Sequence, residues 1–153
     1  MRDDAPGVIA PPPLIFLGAL AAGFALEALL PSAAIPGWLS WPLGLALVIA
    51  GGALAASFIG AFQRAHTPVD PYRPATALVT TGPYRLTRNP GYLGMALTYA
   101  GIAVLASALW TLIGLAAALV VVDRGVIARE EHHLEARFGD DHRRYRATTR
   151  RWL

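Results

Sequence analysis

Residues 90–122 carry no charged side chain, and this unbroken apolar stretch limits the possible folds more than any other feature of the chain. As one helix its roughly 33 residues would extend about 50 Å, well past the ~30 Å hydrocarbon core of a bilayer. Two helices are therefore expected, with a turn around residues 106–109, where Ser107 supplies a polar group and Trp110 sits at interfacial depth. Composition agrees: 55% of the chain is hydrophobic and 15% charged, with mean hydropathy +0.45. A soluble domain carries about 25% charge, so this chain belongs in a membrane.

Two earlier runs complete the apolar inventory. Residues 14–30 are just long enough to span and are ended by Pro31, whereas residues 42–62 begin at Pro42. The Gly51-Gly52 pair and its neighbouring alanines suit close helix packing inside a bilayer. Residues 63–89 are polar and rich in proline (Pro68, Pro71, Pro74, Pro83), as expected of a structured interfacial loop rather than a flexible linker. The last helix is expected to leave the membrane near Asp123 and to run to Phe138, where Gly139 is a natural stop. Asp3 and Asp4 follow Arg2 near the start, so no secretory signal is expected.

All 13 basic residues are arginines, and they fall in the middle loop (Arg64, Arg73, Arg85, Arg88) and from Arg124 onward, apart from Arg2. The positive-inside rule places loop and tail on one cytoplasmic side, which requires an even number of crossings between them. The expected fold is a single all-α membrane domain of about four spans, at 14–30, 42–62, 90–106 and 109–125. Its loop (63–89), its tail (126–153) and both termini face the cytoplasm, and the bacterial inner membrane is the expected location. Acids interrupt the basic tail, so no nucleic-acid partner is expected. Without cysteines, and with four histidines that lack ligand spacing, no metal site is expected either.

Chemistry is expected where this polar loop opens the long apolar run. Asn89 can cap the helix that Pro90 begins, and the free N–H groups there suit an anionic or polar ligand atom. Along the final helix Glu130 shares a helical stripe with Ile127, Leu134 and Phe138, and Glu131 flanks it. Carboxylates facing inward need a partner. Either an ion pair with Arg85 or Arg88 fastens the helix to the loop, or the acids form a pocket for a cation. Tyr84, Tyr92 and Tyr145 are by default interfacial anchors. Glu27 is ionisable within the first span and raises a competing possibility, a small four-span proton-coupled transporter.

Residues 76–92, TALVTTGPYRLTRNPGY, and 130–145, EEHHLEARFGDDHRRY, resemble the paired signatures of the isoprenylcysteine carboxyl methyltransferase and phospholipid methyltransferase superfamily. The likeness covers about the C-terminal half, and two motifs in the right order are more specific than either alone. It implies an enzyme that takes S-adenosylmethionine at the cytoplasmic membrane face and methylates a lipid-like or other apolar acceptor. By motif position it implies cofactor contacts at Leu78, Val79, Tyr84, Asn89, Pro90, Tyr92 and Glu130. Arg88 and Glu131 are the catalytic candidates, with Arg88, Arg124 and Arg129 as candidates for binding an anionic acceptor. The family often has histidine where this chain has Thr76 and Asn89, and asparagine cannot take up a proton as histidine does.

Overall fold

The computed structural model describes residues 9–32, 35–67 and 76–153. The expectations for Pro68, Pro71, Pro74 and Arg73 of the middle loop fall outside these residues. The described residues are all-helical: α1 Pro12–Leu29, α2 Gly37–Arg64, α3 Pro90–Leu105, α4 Leu109–Val122 and α5 Ala128–Thr148. A 3₁₀ turn at Gly82–Arg85 precedes α3, and a π turn at Asp123–Ile127 joins α4 to α5. The expected division of the long run is present: α3 ends at Leu105, Ser107 takes a positive φ of 53°, and α4 starts at Leu109. Pro42 does not open the second helix. That helix begins at Gly37 behind Pro36, and Pro42 lies in its second turn, where it forgoes one helical hydrogen bond.

Three helical stretches are long and apolar enough to cross a membrane, and α3, at 16 residues, is a shorter apolar helix of about 24 Å. Their outward surfaces are apolar: Leu17, Leu45, Ile49 and Ile113 are all exposed. Such a coat would be an aggregation liability in water and is the ordinary surface of a protein in lipid.

Small residues bring the helices together. α2 and α3 run antiparallel with glycine against glycine at two levels one heptad apart, Gly44 facing Gly101 and Gly51 facing Gly94. A Cβ on Gly101 would stand 2.7 Å from the Gly44 carbonyl oxygen, and one on Gly51 the same distance from that of Gly94. No other residue permits that approach. Gly52 faces open space, so only one member of the glycine pair packs. α1 meets α4 where Gly23 abuts Thr111, and the core between them holds Phe16, Tyr99, Ala103, Ala118 and Val122.

At one end of the bundle the α1–α2 link meets the α3–α4 turn. Glu27 accepts hydrogen bonds from the Ser32 amide (2.6 Å), the Ser32 hydroxyl (2.5 Å) and the Trp110 amide (3.2 Å). The Trp110 indole donates to the Leu30 carbonyl at 2.8 Å. Glu27 thus serves as a cap for the start of α4, where free N–H groups favour an anion.

Candidate functional site

At the opposite end, the loop before α3, the π turn, α5 and the last residues of the chain converge. Asn89 does not cap α3 with its side chain. Its amide Nδ2 donates instead to the Arg151 carbonyl at 2.9 Å, and its backbone N–H donates to Thr87 Oγ1 at 3.1 Å. The tail competes successfully for the asparagine because its backbone runs alongside the loop. The Arg88 N–H donates to the Arg150 carbonyl at 2.9 Å, and the Thr87 hydroxyl donates to the Arg151 carbonyl at 3.0 Å. Pro90 still occupies the first turn, buried.

The two adjacent acids have different partners. Glu130 Oε1 accepts a 2.6 Å hydrogen bond from the Tyr92 hydroxyl, whereas Glu131 lies 3.2 Å from Arg88 Nη1 and 2.5 Å from Arg151 Nη2. The expected ion pair with Arg88 therefore exists for Glu131, and Glu130 takes a tyrosine. Burial pushes Glu130 up to about 7, with Glu131 adding to the rise and the Tyr92 bond opposing it. The Arg88 guanidinium is itself nearly buried, and among the described residues neither its Nε nor its Nη1 has an aligned hydrogen-bond acceptor. Burial lowers its pKa while Glu131 opposes the shift. A buried guanidinium with unsatisfied N–H groups is suited to a carboxylate or phosphate oxygen.

The stripe expected along the last helix is only partly right. Ile127 is fully buried, but Glu131 is more deeply placed than Glu130, and Leu134 and Phe138 are half-buried. The π turn holds an extra residue and so rotates α5 relative to α4, bringing both acids to the loop. Gly139 ends the first part of α5 with φ 52° and ψ −121°, and the chain then resumes a helix to Thr148. That bend returns Tyr145 and His142 to the site. The Tyr145 hydroxyl donates to the Tyr84 carbonyl at 2.7 Å, beyond the anchoring role expected of it. The Tyr84 ring packs near Phe58 and Phe62 of α2. Burial, reinforced by Tyr145 and Glu130, drives the Tyr84 hydroxyl far up, so it remains a proton donor. His142 is buried, and burial lowers its pKa against the pull of Glu131 and Glu135. Leu78 is half-buried and Val79 buried in the extended stretch before the 3₁₀ turn.

Beside this cluster, an open cleft of about 470 Å³ lies between α3 and α4, lined by Leu93, Ala96, Leu119, Val120, Asp123, Arg124 and Trp152. Its lining is mostly aliphatic, with Asp123, Arg124 and the Trp152 indole as the polar groups. Arg124 lines the cleft, whereas Arg129 is exposed on α5 and does not. Asp123, Arg151, Trp152 and His142 were not singled out from the sequence as site residues. Asp123 marked only the end of an apolar run, Arg151 was one arginine in a basic tail, and Trp152 lay among the last residues.

An apolar helical bundle with a buried acid–arginine cluster under one end and a largely aliphatic cleft beside it has the make-up of a membrane protein. The phospholipid methyltransferase family matches the chain over residues 39–141, about two thirds of its length, and the chain belongs to that family. This family membership gives the transport alternative no support. An uncharacterized protein of Haemophilus influenzae is 51% identical over 35 residues, 23% of this chain and 56% of that protein. The chain thus spans little more than half the length of this curated relative. No solved structure matches the chain.

Proposed function

We propose that the protein transfers a methyl group from S-adenosylmethionine to a lipid-like acceptor at the cytoplasmic face of a bacterial inner membrane. In this reading the bundle crosses the membrane four times, with both termini and the site inside. The observation that carries the proposal is the pairing of Glu130 with Tyr92 beside a buried Arg88 whose Nε and Nη1 have no aligned acceptor among the described residues, all within the residues matched by the family. The donor set fits the cofactor. A carboxylate and aromatic hydroxyls suit a cationic sulfonium and ammonium, and a guanidinium suits the cofactor's carboxylate or an anionic acceptor group.

S-adenosylmethionine, when bound, supplies an electrophilic methyl group with a neutral thioether as leaving group. The chain's own contribution is alignment and exclusion of water. Leu78, Val79, Tyr84, Asn89, Pro90, Tyr92 and Glu130 would hold the cofactor. Arg88, steadied by Glu131, would orient the acceptor at the cleft, with Arg124 in its lining. Binding of S-adenosylmethionine to protein in detergent should raise its melting temperature, because a ligand specific for the folded state stabilises it by mass action. No shift at saturating cofactor would sink the proposal.

A further inference from the structure

Residues 150–152 are tied to three parts of the site. The Arg151 guanidinium bridges two acids from different elements, Asp123 of the π turn at 3.2 Å and Glu131 of α5 at 2.5 Å. Its carbonyl receives both Thr87 and Asn89 of the loop before α3. Next to it, the Trp152 indole donates to Asp123 Oδ1 at 2.9 Å and forms part of the cleft wall. Glu131 faces the Arg88 cluster and Asp123 faces the cleft, so one side chain joins the two halves of the site.

We infer that Arg151 is a positioning residue that sets the register between the cofactor-side cluster and the acceptor cleft, with Trp152 held by the same clasp as the cleft's adjustable wall. This inference rests on the methyltransferase reading for its consequence in catalysis, and on geometry alone for the clasp. A methyl transfer needs donor and acceptor in line, and a misplacement of about 1 Å can cost up to ~100-fold in rate. Glu131 keeps Arg88 when Arg151 is lost, and Glu130 keeps Tyr92. The main casualty should therefore be turnover rather than cofactor affinity.

Arg151→Gln breaks the clasp on both sides and Asp123→Asn on one, each with little change in size. Methyl transfer would be followed with tritiated S-adenosylmethionine and vesicles of bacterial polar lipid. Each variant should lose about 10- to 100-fold in kcat with cofactor Kd nearly unchanged, and the double variant should be no worse than either single, because both act through one unit. A second readout uses protein in which Trp38, Trp41 and Trp110 are replaced by phenylalanine, leaving Trp152 as the sole indole. Phosphatidylcholine brominated near the head-group end of its chains should quench Trp152, and Arg151→Gln should abolish that quenching. Additive losses in the double variant, parallel falls in melting temperature and cofactor affinity, or quenching indifferent to Arg151 would overturn the inference. A wild type that transfers no methyl group would defeat the methyltransferase reading instead, while the quenching comparison would still decide whether the clasp exists.

Discussion

Glu130 is a carboxylate whose surroundings favour its protonated form, with a pKa of about 7 set chiefly by burial. A folded-state pKa raised above the unfolded value of ~4.3 contributes stability that is present at low pH and lost as the pH rises through about 7. Glu130→Gln should therefore flatten the fall in ligand-free stability between about pH 5 and 7.5. Binding of a sulfonium favours the ionised carboxylate, so affinity for S-adenosylmethionine should rise with pH up to about 7 in the wild type and be weaker and flat in Glu130→Gln. Titration calorimetry at several pH values tests this, and equal slopes in both proteins would remove Glu130 from the cofactor site. Arg88→Ala leaves Glu131 with Arg151 as a remaining partner. It should cost about 1–3 kcal/mol of stability, the range for leaving a buried polar group partly unpaired. Cofactor affinity should change little while methyl transfer falls steeply; equal losses in both would assign Arg88 a merely structural role.

Among the elements, the apolar helices were legible because their lengths and proline or serine boundaries are local properties, readable within a window of a few turns. The interruptions were not. The π turn at Asp123–Ile127 carries no proline or glycine pair to announce it, and its rotation of α5 is what places Glu131 deeper than Glu130. Glycine likewise marked Gly139 as an end but not that a second helical segment would fold back and bring Tyr145 to Tyr84. For the same reason the motif residues of the loop and of α5 could be named as candidates from the sequence, whereas Arg151 and Trp152 acquire meaning only from contacts across the fold. The glycine seam between α2 and α3 gives a prediction at this scale. Gly51→Ala should separate the helices and destabilise the protein by about 1–3 kcal/mol, the usual range for overpacking. Gly52→Ala, whose Cβ meets nothing within 4 Å, should be neutral or slightly stabilising. Thermal melts in detergent of the two neighbouring variants check it, and equal effects would deny the seam.

For the whole molecule, the arginines and the packing divide the bundle into two unlike ends. Glu27, Ser32, Ser107 and Trp110 knit one end together without a single arginine, whereas Arg85, Arg88, Arg124 and the tail gather at the other. If the arginine-bearing end is cytoplasmic, as the positive-inside rule requires, the site draws its cofactor from the cytoplasm and its acceptor from the lipid. The natural chain has no cysteine, so single introduced thiols report without background. Ala106 and Thr76 are exposed at the two ends. Ala106→Cys should react with a membrane-impermeant maleimide in intact cells, and Thr76→Cys should react only after the membrane is opened. Labelling of Thr76→Cys from outside would turn the site away from the cytoplasmic cofactor pool. Protection of both would mean that α3 and α4 enter the bilayer without emerging, and the four-span arrangement would fall.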